Sequence, residues 1–249
     1  MGITKQVKNI LIDKMQIIQN EGKQTICLVG PVKLPIQQKD LQITFQWYTW
    51  LSLEHHIQTK EEVLESLATA NLAFGQQSSV LVYGDFAHAD DAIIRMHSIC
   101  HTGDIFGSER CDCGYQLHQS MKMIKEHGCG AIFYLADHEG RGIGLFSKSF
   151  AYLLQEDGFD TVEANHALGF EDDTRSYEDA IRVLETLRSK PVALITNNPK
   201  KLTALQKYGL TSTDHVSLWG GFTDHNRFYL DTKVEKSAHI RNESAKLTV

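Results

Sequence analysis

An α/β fold, with a mixed sheet flanked by helices and a more β-rich N-terminal segment, is what this sequence predicts. Three observations carry that expectation. From residue 91 onward, short apolar runs alternate with amphipathic stretches punctuated by Gly, Ser and Asn-Pro, as strands and helices in turn require. Before residue 90 the pattern differs, with strand-like runs and an alternating, Trp/Tyr-rich stretch over 41–56. The chain has 249 residues, 42% of them hydrophobic, enough for one large core or one core plus a smaller appendage. The expected divisions are 1–90, a β-rich segment with an extra helix; 91–236, the main core; and 237–249, a mobile tail without apolar periodicity.

Taken in order, the opening stretch (about 4–19) is amphipathic and reads as a helix. TICLVG (25–30) reads as a strand, and LQITFQWYTWLSLEHH (41–56) as β structure with alternating aromatics. TKEEVLESLATANLAFG (59–75) reads as a helix capped by Thr59, with Glu62 completing a capping box and Gly75 ending it. SSVLVYGDF (78–86) is a strand, and IIRMHSIC (93–100) a short strand running into a loop. GYQLHQSMKMIKEHG (114–128) is a helix with Leu117, Met121 and Ile124 on one face, stopped by Gly128. AIFYLA (131–136) is a buried strand followed by a Gly-rich loop, HEGRGIGL (138–145). Helices are expected over 147–156 and 176–189, the second with Ser176 as cap and Asp179 in its first turn. PVALITN (191–197) is a strand, after which Asn198 and Pro199 open a helix in their preferred positions.

The net charge of −6 argues against a nucleic-acid binder, which usually carries a basic stripe. One anionic small-molecule site built from a few Arg and Lys remains compatible with it. No apolar run approaches the roughly 20 residues of a membrane span. The start, MGITKQVKNILIDKMQII, carries Lys and Asp throughout and does not read as a signal peptide. The expectation is a cytoplasmic protein without membrane or nucleic-acid partners.

Five cysteines occur, at 27, 100, 111, 113 and 129. Cys27 and Cys129 sit in apolar, strand-like settings and read as buried core residues. Cys100, Cys111 and Cys113 are clustered, which in a reducing compartment points to metal ligands or catalytic thiols. Three thiols without an equally placed fourth fit a catalytic zinc, which keeps a position for water and lowers its pKa toward about 7. His97, His101 or His118 is available as a fourth ligand that would close the site, and a C-x-C redox pair is the remaining alternative.

Three further patterns point to a ligand. Gly140, Gly142 and Gly144 surround Arg141, so backbone N–H groups can approach a ligand while Arg141 forks onto phosphate; a plain tight turn fits equally. Asp172, Asp173 and Arg175 precede a helix, where carboxylates complement the dipole but a cation opposes it, which favours a ligand role for Arg175. TNNPKK (196–201) lies at the carboxyl end of a strand and the start of a helix, which makes Thr196, Lys200 and Lys201 phosphate contacts or else solvated side chains. Zinc-assisted hydrolysis of a phosphorylated small molecule is as far as these patterns reach.

The run RMHSICHTGDIFGSERCDCGYQL (95–117) strongly resembles the GTP cyclohydrolase II family of riboflavin biosynthesis. The likeness continues through HEGRGIGL, DTVEANHALGF, DDTR, TNNPKK and YLDTK, covering roughly residues 80–236, with weaker echoes at KLP and LVYGD. It implies the stand-alone form of the enzyme. The implied reaction opens the imidazole ring of GTP, releasing C8 as formate together with pyrophosphate, to give 2,5-diamino-6-ribosylamino-4(3H)-pyrimidinone 5′-phosphate. The resemblance implies one zinc per subunit on Cys100, Cys111 and Cys113, Mg²⁺ with the nucleotide, and a homodimer. It implies GTP contacts at Arg95, Met96, His97, Ser98 and Ile99, at Gln116, Glu139, Gly140 and Arg141, and at Thr161, Thr196 and Lys201. Arg175 matches the family's covalent nucleophile for the α-phosphate, Asp173 its proton acceptor, and Tyr152 the tyrosine kept near the ring for the second hydrolysis. Because a guanidinium pKa exceeds about 12, an electrostatic clamp is the other role open to Arg175.

Three positions depart from the family pattern. Ile99 replaces a Glu, Ala136 and Asp137 stand where an Arg usually precedes EGR, and Phe150 replaces a basic residue before Ala-Tyr. Losing two cations and one carboxylate is expected to alter how the nucleotide is held. The alternatives are therefore a diverged paralogue acting on a related purine nucleotide, or a non-catalytic nucleotide-binding protein.

Overall fold

A computed structural model describes residues 3–19, 24–38, 40–53, 57–72, 77–220, 223–237 and 239–240. Its eight strands are β1 (Met15–Ile18), β2 (Ile26–Gln38), β3 (Leu41–Ser52), β4 (Ser79–Tyr83), β5 (Ile93–Ser98), β6 (Gly130–Leu135), β7 (Val192–Ile195) and β8 (Thr211–Val216). They form one mixed sheet in the order β1-β2-β3-β4-β6-β5-β7-β8. Pairing is antiparallel from β1 through β4 to β6, and parallel across β6, β5, β7 and β8. The N-terminal hairpins thus continue the same sheet as the α/β half.

Period-two patterning explains how both faces are covered. Along β6, Ala131, Phe133 and Leu135 face a core with Leu28, Trp50, Met96, Ile181 and Leu184. Between them Ile132 faces a second core with Ile43, Phe45, Leu117, Met121 and Ile124. The helices that close these faces are α7 (Glu178–Leu187) and α4 (Cys113–His127). The apolar face predicted for α4 is the buried one, and Gly128 ends the helix in the left-handed conformation. The other helices are α1 (Lys5–Ile12), α2 (Lys60–Ser66), α3 (His101–Asp104), α5 (Gly144–Glu156), α6 (Thr161–Ala167), α8 (Pro199–Gln206) and α9 (Arg227–Ser237). Among the described residues, no helix is long and apolar enough to cross a membrane.

Several boundaries differ from expectation. The opening helix ends at Ile12, because Met15–Ile18 pairs with β2 and Met15 is buried. MQII satisfies either apolar period, and the sheet edge decides between them. The helix expected over 59–75 keeps its Thr59–Glu62 capping box but stops at Ser66, and Gly75 lies outside the described residues. HEGRGIGL is a 3₁₀ turn (Ala136–Arg141) leading into α5 rather than an open loop. Ser176 sits one residue before the cap position, which Tyr177 occupies: its hydroxyl accepts from Glu178 N at 3.3 Å, and α7 begins at Glu178. The sequence reading missed α6, β8 and α9, although α6 carries a capping box, Asp160 with Glu163.

Candidate active site

The carboxyl ends of three parallel strands converge on one cleft of about 170 Å³. Ser98 ends β5 and Cys100 follows it, Glu139 and Arg141 follow β6, and Thr196 and Lys201 follow β7. This is the edge at which open α/β sheets place their ligands.

On one wall the Sγ atoms of Cys100, Cys111 and Cys113 lie within 4.8 Å of one another, with Cys100 and Cys111 3.6 Å apart. The helix α3 makes this possible because it brings Gly103 against them. A Cβ on Gly103 would stand 2.9 Å from Cys111 Sγ and 3.2 Å from Cys100 Sγ, so the thiols occupy space that any side chain would fill. Hydrogen bonds from Cys111 and Cys113 hold the Cys100 thiol well below its ordinary range; sharing with Cys100 pushes Cys111 up to about 11 and raises Cys113 well above its ordinary value.

None of the three histidines offered as a fourth ligand joins this cluster among the described residues. His97 Nδ1 accepts from Arg95 Nε (3.3 Å), and Nε2 donates to Asp104 at 3.0 Å. His101 packs edge-on against Phe106, and His118 is exposed on α4. Three thiolates around an open side are the donor set of a catalytic zinc site, so the residues fit that ion.

Lys148, on α5, lies against the thiols. Its ammonium donates to Glu139 Oε1 (2.6 Å), Cys100 Sγ (3.2 Å) and Thr102 Oγ1 (3.4 Å). Burial opposes its charge, but the Cys100 thiolate, Tyr152 and Glu139 outweigh it and raise its pKa. Tyr152, one turn along α5, meets Thr102 Oγ1 at 3.3 Å, and the Arg110 guanidinium covers its ring at 4.3 Å. Burial raises the Tyr152 hydroxyl above its ordinary value.

The opposite wall is cationic. Nine Arg and Lys side chains line the cleft against three Asp and Glu, in a chain whose net charge is −6. Lys201 is buried and donates to the Met96 carbonyl (2.7 Å), and burial, then Arg175 and Arg95, depress its pKa strongly. Such crowding of like charges in a low-dielectric site is what a polyanionic ligand relieves. Arg175 is held bidentately by Asp173 (Nε–Oδ1 2.7 Å, Nη2–Oδ2 2.8 Å), and its Nη1 donates to Ser98 Oγ at 3.2 Å. Burial raises the Asp173 carboxyl, but the bonded Arg175 prevails and keeps it below the usual carboxylate range.

Of the residues singled out in the sequence, Arg95, His97, Ser98, Gln116, Glu139, Gly140, Arg141, Thr161, Thr196, Lys201, Asp173, Arg175, Tyr152 and the three cysteines line this cleft. Met96 does not: its side chain is 1% exposed in the core behind β5, because alternate strand residues face opposite ways. Among the three departures, only Ile99 lines the cleft. Ala136 is buried and donates its N–H to Ser78 Oγ, while Phe150 packs on Phe146 at the outer face of α5.

The structure adds residues that the sequence reading passed over. Lys148, Arg110, His138, Tyr229, Lys233 and Lys236 all line the cleft. Lys233 pairs with Asp112, which is buried between the two cysteines of the C-x-C (2.8 Å). Tyr229 and Lys233 are spaced i,i+4 within YLDTK, a helical signal that was present in the sequence.

Against known families, residues 52–217 match the model described as GTP cyclohydrolase II. The chain is 46% identical over 176 residues to "Probable bifunctional riboflavin biosynthesis protein RIBA 1, chloroplastic" of Oryza sativa subsp. japonica, covering 71% of this chain and 33% of that protein. It is 44% identical over 177 residues to the riboflavin biosynthesis protein RibBA of Bacillus cereus (strain AH187), covering 71% and 44%. To RibBA of Bacillus subtilis (strain 168) it is 46% identical over 167 residues, covering 67% and 42%. The matches span less than half the length of these relatives.

Proposed function

The chain belongs to the GTP cyclohydrolase II family, and from that premise we propose that it hydrolyses GTP, releasing C8 as formate and the outer phosphates as pyrophosphate. The product is the 2,5-diaminopyrimidinone ribosylamino 5′-phosphate, made for riboflavin biosynthesis. The observation that carries this reading is one cleft that gathers three convergent thiols and nine Arg and Lys side chains.

Cys100, Cys111 and Cys113 would hold one zinc, which supplies Lewis acidity at neutral pH beside the purine. Glu139 anchors this wall: its carboxylate accepts from His101 N (2.7 Å) and from Lys148. Arg95, Lys201, Lys233 and the N-terminus of α8 take the triphosphate, with Mg²⁺ as its counter-ion. Tyr152 faces the ring-opening side and serves the second hydrolysis, its hydroxyl placed by Thr102.

For Arg175 the geometry favours the clamp. Its guanidinium is locked in a bidentate pair, and Asp173, held below the usual carboxylate range, is a poor proton acceptor at neutral pH. A fixed guanidinium that meets phosphate oxygens stabilises charge as the phosphoryl bond breaks. The assembly read this way is a homodimer working in the cytoplasm. Its test is product analysis: zinc-loaded protein with GTP and Mg²⁺ should yield formate, pyrophosphate and a new pyrimidine chromophore in equal amounts. Metal-loaded protein that leaves GTP unchanged refutes the reading.

A further inference from the structure

His138 is one of the least exposed polar residues of the cleft, at 2%, and no role described so far uses it. Its two ring nitrogens make different bonds. Nε2 lies 2.8 Å from the Ser176 carbonyl, and Nδ1 lies 3.2 Å from Ser98 Oγ. A carbonyl only accepts, so Nε2 must carry a proton. Burial outweighs the nearby Asp137 carboxylate and, with Arg175 and Lys201, keeps the ring neutral and leaves Nδ1 as an acceptor. The Ser98 hydroxyl then donates to Nδ1, and its lone pairs face Arg175 Nη1 at 3.2 Å. The ring also packs perpendicular to Tyr177 with centroids 4.9 Å apart.

These bonds close a loop around a single residue. Ser176 is the backbone neighbour of Arg175, and Ser98 meets the far end of its side chain. The bidentate pair with Asp173 sets the guanidinium plane but leaves Nη1 to be directed by another acceptor. We propose that His138 is the positioning residue for Arg175, holding its backbone through the Ser176 carbonyl and its guanidinium through Ser98. This deepens the GTP reading above and rests on it for the role of Arg175 in turnover.

The fixed tautomer matters because Ser98 has one proton. With Nδ1 accepting it, Ser98 can only accept from Arg175. With Nδ1 protonated, Ser98 becomes the acceptor of both neighbours and its own proton points into the cleft. A guanidinium misplaced by about 1 Å costs on the order of 100-fold in rate.

The test compares His138→Leu, which removes both bonds, with His138→Gln, whose amide can donate to Ser176 and accept from Ser98. Expected is a 10- to 100-fold lower kcat for H138L with KM changed less than threefold, and recovery to within about fivefold of wild type in H138Q. Ser98→Ala combined with H138L should lose little beyond the worse single variant, since both cut one chain of bonds. Unchanged kcat in H138L, failure of glutamine to rescue, or multiplicative losses in the double variant would each overturn the proposal. Nitrogen-15 spectra of the histidine rings, with His138 assigned by its absence in H138Q, need no substrate. They should show protonated Nε2 and bare Nδ1 between pH 6 and 8, with the Nδ1 shift moving in Ser98→Ala. The opposite tautomer, or no response to Ser98→Ala, overturns the proposal whatever the enzyme does with GTP. If wild type does not convert GTP, the functional reading falls and the spectra alone judge the bonding of His138.

Discussion

Replacing Gly103 by alanine should weaken zinc binding at the proposed thiol site while sparing the fold. The added Cβ would lie 2.9 Å from Cys111 Sγ, 3.2 Å from Cys100 Sγ and 3.3 Å from Cys113 Cβ. Ordinary contacts fall at about 3.5–4.0 Å, so Cys111 has to retreat by roughly 0.6 Å. Metal–ligand distances tolerate only about 0.2 Å. Overpacking of this kind costs about 1–3 kcal/mol, and the helical preference of alanine over glycine returns at most about 1. Without metal the thiols can turn aside, so the apo melting temperature should move by no more than about 3 °C. With zinc the thiols are pinned, and affinity should fall at least about tenfold, since about 1.4 kcal/mol is a decade. Competition against a chromophoric chelator, run with melting curves of the metal-free proteins, measures both. Zinc affinity equal to wild type would refute the reasoning that Gly103 leaves room for the liganded thiols.

Three other outcomes follow from the same geometry. Lys233→Met strands Asp112, whose side chain is 1% exposed; a broken buried pair costs about 3–5 kcal/mol. The bonds from Gln116 and Gly220 to Asp112 place the loss at the low end, a melting temperature lower by roughly 6–12 °C, and a drop under 2 °C contradicts it. Asp173→Asn keeps one acceptor for Arg175, so the clamp reading expects a pH-independent loss of about tenfold in kcat, whereas removal of a general base costs about 10²–10⁴; kinetics across pH 6–9 decide between them. Burial lowers His138 to about 4 and His239 to about 3, so the unfolded chain binds more protons than the native one below about pH 6.5. Stability should therefore fall as pH drops from 6.5 toward 4, and chemical denaturation of His138→Gln should show a shallower fall than wild type.

Much of the site was legible because its chemistry is local in sequence. The C-x-C pair with Cys100, the Gly-rich turn, DDTR and TNNPKK each stand out through residue type and spacing, although each also had a plainer reading. What escaped was whatever depends on packing between distant segments. Lys148 reads as an ordinary helix lysine until Cys100 and Glu139 are brought beside it. His138 lies inside a quoted motif, yet only its bonds to Ser98 and Ser176 distinguish it from any other histidine. Conversely, Met96 was drawn in by its neighbours in the motif, although strand alternation turns it into the core. Phe150 looked like a lost contact to the nucleotide, but its helix face points away from the cleft.

By itself the sequence determined the α/β class, the grouping of Cys100, Cys111 and Cys113 and the family, since apolar period and motif spacing are properties of the chain read in order. Tertiary structure alone decided that the N-terminal hairpins extend the same sheet, that none of the described histidines joins the thiol cluster, and that the cations of α8 and α9 meet across the cleft. The physical reason is that periodicity sets which way a side chain points from its own element. What it meets there is set by strand order and helix packing, which bring together residues that lie far apart along the chain.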